Sequence, residues 1–141
     1  MSTELTIHAV HQGGMRFIAG NGVHTVNVDY PLEPGESGTG LRSLELLLAS
    51  LATCGGNTLA LVLGRMEQPF TGLEVDARAV RRDEHPTVLT EIALEFIVHG
   101  PGVDKATVER ALTVAETQLA PVWIMLKAGT PITTSVRLTQ D

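Results

Sequence analysis

The sequence predicts an α+β fold in the order βββαββααβ, on three observations. Apolar residues recur at period two near the N-terminus and again between residues 73 and 98, the spacing of strands with one covered face. An uncharged stretch over residues 46–63 and a later run with apolar residues three and four apart read as helices. Clusters of Gly, Pro and Asn separate these runs.

In order, Leu5, Ile7 and Ala9, then Met15, Phe17 and Ala19, then Val26, Val28 and Tyr30 mark three short strands. Gln12-Gly13-Gly14 and Gly20-Asn21-Gly22 are the turns between them. PLEPGESGTG, residues 31–40, cannot continue a strand and is expected as an exposed loop at the rim of a site. Ser43 is a plausible N-cap for a long helix that ends near Arg65 and Met66, ahead of Pro69. Gly55-Gly56 interrupts its pattern and marks either a kink or a face that another backbone approaches closely. Leu73, Val75, Ala77 and Ala79, then Ile92, Leu94, Phe96 and Val98, give two more strands joined through DEHPT. Asp104 opens a second helix with Val108, Ala111, Leu112, Ala115 and Leu119 as its apolar stripe. Pro121 breaks it, VWIMLKAG forms a short third helix closed by Gly129, and residues 132–138 form a last strand.

Composition bounds the function. The 141 residues are 43% hydrophobic and 18% charged, so one folded domain over residues 1–141 is expected rather than a disordered chain. A net charge of -6 and the absence of a basic run argue against nucleic acid as a partner. The single cysteine, Cys54, excludes an intrachain disulfide and suits a reducing compartment. MSTELTIHAV lacks the features of a secretory signal, which makes the cytoplasm the expected location. Residues 46–63 touch the lower length limit of a membrane span, but their middle is small and polar and the remaining strands need an apolar cover. The expectation is therefore a helix buried in a soluble protein, with no membrane partner.

Few side chains offer chemistry. Cys54 reads on spacing alone as a small buried hydrophobe or as a reactive thiol. His8 and His11 would point to opposite faces of a strand, and no one-sided His or Cys cluster suggests a metal. Arg16, Arg42, Arg78, Arg81 and Arg82 are the cations able to stabilise a thiolate or hold an anion. The Gly-Gly-Met-Arg ahead of the second strand fits no nucleotide loop. Glu45 fits a helix N-terminal acid.

Residues 43–66, SLELLLASLATCGGNTLALVLGRM, resemble the OsmC/Ohr family of osmotically induced and organic hydroperoxide resistance proteins. The shared pattern is a Glu-Leu-Leu start, a helix of small and apolar residues, and a cysteine nine residues after the Glu. LAPVWIMLKAGTPI, residues 119–132, is similar to the family's second-cysteine segment and the strand after it. The resemblance implies an intertwined homodimer whose sheets wrap around buried central helices, and it implies that Cys54 is a peroxidatic thiol. Three departures point to an OsmC-like branch with one cysteine. Ala120 stands where the family has its resolving cysteine, Leu44 stands where the Ohr branch has an activating Glu, and Met15 separates Arg16 from the preceding Gly-Gly. By this resemblance Arg16 would stabilise the thiolate and Glu45 would orient a cation. The substrate would be a small or hydrophobic peroxide, the reductant an external thiol, with no prosthetic cofactor and no metal. The rival reading is a ligand-binding or redox-sensing protein that has lost turnover.

Overall fold

A computed structural model describes residues 2–141 as two compact units that divide between Leu47 and Leu48. The elements follow the expected order of three strands, a long helix, two strands, two helices and a final strand.

In the first unit, β1 (His8–His11), β2 (Arg16–Gly20) and β3 (Thr25–Asp29) form an antiparallel sheet in sequence order. Phe17 faces His11 on one side and Val28 on the other. The first strand is shorter than the alternation suggests: Leu5 and Ile7 lie outside it and are 90% and 70% exposed. Alternation records which residues could share a face, whereas a strand also needs a paired neighbour, and pairing with β2 begins only at His8 opposite Gly20. The segment after β3 is tied down by polar contacts. Thr39 donates its backbone N–H and its hydroxyl to Asp29 Oδ2, each at 3.0 Å, and Asn27 Nδ2 donates to the Thr39 carbonyl at 2.8 Å. At Gly40 the chain passes so close to β3 that any Cβ would collide with the Asn27 carbonyl oxygen.

The second unit contains most of α1 (Ser43–Arg65) and a sheet in the order β4 (Gly72–Arg81), β5 (Leu89–His99), β6 (Ile132–Thr139). β4 and β5 pair antiparallel, while β5 and β6 pair parallel, joined through α2 (Lys105–Val114) and α3 (Pro121–Lys127). A parallel partner requires such a long crossover. Asp104 caps α2 as expected, accepting from the Thr107 N–H at 3.0 Å. Between α2 and α3 the chain makes a π turn over Ala115–Leu119, closed by the Ala120 N–H on the Ala115 carbonyl at 2.8 Å. Pro121 dictates that break. It biases Ala120 out of the helical region, and indeed φ is -83° and ψ 99°, while its own missing N–H costs nothing at the first position of α3.

Ile92, Leu94, Phe96 and Val98 of β5 meet Leu51, Leu59, Val62 and Leu63 of α1 and Val108, Ala111 and Leu112 of α2 in one core, with Ala115, Ala120 and Trp123. Glu74, Asp76 and Arg78 alternate outward from β4. α1 is long and apolar enough to cross a membrane by length and composition, yet one side of it is buried in this core. Gly55-Gly56 does not interrupt it. The helix runs unbroken, and both glycines serve close approach by side chains: a Cβ at Gly55 would lie 3.3 Å from Phe96 Cζ, and one at Gly56 3.2 Å from Val75 Cγ2.

Candidate active site around Cys54

Cys54 sits mid-way along α1, half-buried, packed against the core of the second unit. The Thr58 hydroxyl donates to the Cys54 carbonyl at 2.8 Å and the Thr53 hydroxyl to the Ala49 carbonyl at 2.8 Å, so polar side chains on this stretch are spent on its own backbone. Below it, Gly55 admits the stacked pair of Phe96 and Trp123, whose ring centroids are 5.7 Å apart with planes 16° from parallel. Trp123 Nε1 is buried without a hydrogen-bond partner, which leaves an uncommitted donor in the core against which the thiol packs. Ala120 belongs to the same core and is fully buried.

On an adjoining face of α1, an open cavity of about 410 Å³ runs between Thr53, Gly56 and Asn57 of α1 and Phe70, Leu73 and Val75 on and ahead of β4, and Cys54 does not line it. Its walls are chiefly apolar with two polar groups, Thr53 and Asn57, at the helix side. Helical spacing puts Cys54 on the stripe of Thr58, roughly 100° round the helix from Thr53.

Arg16 and Glu45 belong to the first unit, and each has a local partner there. Arg16 opens β2 opposite Asp29 of β3. Asp29 is held below the usual carboxylate range, first by the Thr39 N–H and against the opposing effect of burial, with smaller help from the Thr39 hydroxyl, the Tyr30 N–H and the Arg16 charge. Glu45 accepts the backbone N–H of Arg42 at 2.9 Å, and the Leu46 N–H bonds the Arg42 carbonyl at 2.9 Å. Arg42 is therefore the N-cap, one residue ahead of the expected Ser43, and Glu45 is the reach-back acid of a capping box. The Arg42 guanidinium lies over the Tyr30 ring, 5.1 Å from its centroid. Sequence reasoning did not single out Trp123, Phe96 or Val75 as neighbours of the thiol segment. The one available signal was the adjacent glycine pair, which marks where large side chains come close. Among the described residues, no group of three His, Cys, Asp or Glu converges as a metal site.

The family model for OsmC-like proteins matches residues 35–135, which covers α1, the second sheet up to mid-β6 and both short helices. The chain belongs to the OsmC-like family. Protein YhfA of Escherichia coli K12 is 31% identical over 105 residues, 74% of this chain and 78% of that relative. Solved structures show the same OsmC-like fold at lower identity. A hypothetical protein from Aquifex aeolicus superposes with a TM-score of 0.88 at 19% identity, covering 99% of both chains. An OsmC-like protein from Mycoplasma pneumoniae gives 0.86 at 20% identity over 99% of both chains. The organic hydroperoxide resistance protein OhrB of Bacillus subtilis gives 0.62 at 17% identity over 96% of this chain and 98% of the other. The mixed fold expected of an OsmC-like chain, two sheets and three helices in this order, is thus the observed one.

Proposed function

We propose that this OsmC-like chain reduces small or hydrophobic peroxides with Cys54 as the peroxidatic thiol. The observation that carries the reading is the placement of the chain's only thiol, half-buried at the middle of the long helix of an OsmC-like fold and packed against its core. The Cys54 thiolate attacks one peroxide oxygen, the O–O bond breaks, and the leaving alkoxide takes a proton to become an alcohol. Cys54 is left as a sulfenic acid. With Ala120 at the family's second-cysteine position, an external thiol condenses with that acid to release water, and a second external thiol then frees Cys54 as a disulfide departs. Arg16 would stabilise the thiolate and Glu45 would orient a cation, as the family resemblance implies. We also propose a homodimer in a reducing cytoplasm, because one side of α1 is uncovered and Cys54 has no partner thiol in its chain.

One observation favours a second reading. A buried methyl at position 120 cannot close a disulfide, which suits a ligand-binding or redox-sensing chain without steady turnover. Intact mass after one equivalent of cumene hydroperoxide, with and without a sulfenic-acid trap, separates a reactive Cys54 from ligand binding alone, and consumption of repeated equivalents in the presence of an external thiol separates turnover from redox sensing. The expected result is one added oxygen that the trap converts to its adduct and that Cys54→Ser lacks. An unreactive Cys54 overturns the peroxidase and leaves the binding reading.

A further inference from the structure

On the outer face of the second sheet, away from the thiol core, three polar side chains line up across three strands. His99 ends β5, opposite Gly72 of β4 and Thr139 of β6. Its Nε2 lies 2.5 Å from Glu74 Oε2, and its Nδ1 lies 2.6 Å from Thr139 Oγ1. The lack of a side chain at Gly72 makes room for the ring: a Cβ there would stand 3.1 Å from His99 Cδ2. Backbone bonds fix both ends, with Thr71 N–H on the His99 carbonyl at 2.8 Å and Gly100 N–H on the Thr139 carbonyl at 3.0 Å.

The direction of the two side-chain bonds follows from donor chemistry. A carboxylate only accepts, so in the neutral ring Nε2 carries the hydrogen that Glu74 receives. Nδ1 then holds a lone pair, and the Thr139 hydroxyl must donate to it. The order is nucleophile, base and orienting acid, the arrangement that activates a hydroxyl towards acyl groups. The group is also reachable, since the His99 and Glu74 side chains keep 23% and 64% of their surface exposed.

We propose that Thr139 is an acyl-accepting nucleophile, with His99 as its general base and Glu74 as the positioning residue, for activated carboxylic esters or thioesters. Thr139 Oγ1 forms the bond to the acyl carbon while its proton passes to His99 Nδ1. The bond from the acyl carbon to the leaving oxygen or sulfur breaks with its electron pair, and the leaving group takes that proton. Nothing is oxidised or reduced, and the product is a Thr139 ester. This chemistry is independent of Cys54.

The test is labelling of the intact chain with p-nitrophenyl acetate, acid quench and peptide mapping of acetyl groups. Thr133 supplies an internal reference, being an exposed hydroxyl on the same strand with no side-chain bond to a histidine. Thr139 is expected to acetylate at least tenfold faster than Thr133. His99→Gln should remove that advantage, Glu74→Gln should cut it severalfold, Thr139→Val should abolish the label, and Thr139→Ser should retain it. Equal labelling of Thr139 and Thr133 in the unaltered chain overturns the proposal without recourse to any variant. So does undiminished Thr139 labelling in a folded His99→Gln chain.

Discussion

On the proposed chemistry, the buried methyl at position 120 leaves an oxidised Cys54 without a thiol partner in its own chain. With no thiol to condense with, the sulfenic acid waits for an external partner, so excess peroxide should drive it on to sulfinic acid. Ala120→Cys should divert that path into a peroxide-dependent intramolecular disulfide, read as a faster band on non-reducing gels and as less sulfinic acid by mass. Position 120 and Cys54 pack on one core, which makes the bridge attainable if their Cα atoms lie within roughly 7 Å. An Ala120→Cys chain that over-oxidises as fast as the native one would separate these segments. Glu45 permits a sharper division of roles. Its carboxylate caps α1 through the Arg42 N–H, and a Gln oxygen can accept the same bond. Glu45→Ala should therefore lose about 1 kcal/mol of stability, whereas Glu45→Gln should keep it in urea unfolding and slow peroxide consumption only if the charge itself orients a cation. The thiol was legible in the sequence because a lone cysteine in a small-residue helix stands out. The capping bond is half legible, since the acid stands at the helix start as expected but the N-cap is Arg42 rather than Ser43. The alignment of Glu74, His99 and Thr139 was invisible, because only the sheet register brings residues 25 and 40 positions apart together.

Within elements, alternation located the strands wherever a neighbour and a covered face coincide, as in β4 and β5, and it overran at Leu5 and Ile7 where pairing is absent. The sign of the β5–β6 pairing was not legible, because strand direction depends on the crossover and leaves no trace in side-chain period. The glycines of α1 show how one residue type carries different consequences on one helix. Gly64 is exposed and a Cβ there meets nothing, so Gly64→Ala should add about 0.5–1 kcal/mol of stability through helix propensity alone. At Gly55 the same change presses on Phe96 Cζ at 3.3 Å and Trp123 Cε3 at 3.6 Å within a stacked pair. Gly55→Ala should lose that gain, and Gly55→Val should destabilise the chain; chemical denaturation of the three variants checks the order. The loop after β3 and the start of α2 respond to acid. Asp29 is held below its ordinary range chiefly by the Thr39 N–H, and Asp104 chiefly by the Thr107 hydroxyl. Both carboxylates are depressed in the fold, so their stabilisation is complete above the ordinary carboxylate range and fades as pH falls through it towards the lower folded values. Asp29→Asn and Asp104→Asn should each flatten the fall in melting temperature between about pH 5 and 2 relative to the native chain.

At the scale of the whole molecule, the fully buried apolar side chains among the described residues run from Leu51 to Trp123, all within the second unit. The first unit is a three-stranded sheet with no fully buried apolar residue, and Val23 and Leu32 are 80% and 70% exposed there. Three strands need an apolar face that something covers before they are stable. α1 poses the same requirement, because five of its 23 residues are buried although it is apolar on most sides. A second copy of the chain would supply both covers at once, and closed two-fold pairing is the commonest way an identical chain does so. Such a cover is part of the fold's stability rather than an addition to it, which gives the dimer a thermodynamic signature as well as a size. Light scattering behind size exclusion should return twice the 15.0 kDa chain mass at micromolar concentration. The melting temperature should also rise with protein concentration, since folding and association are then one equilibrium. A species of single-chain mass whose melting temperature ignores dilution would mean that the exposed strands and helix are stable uncovered, and the paired architecture would be wrong for this chain.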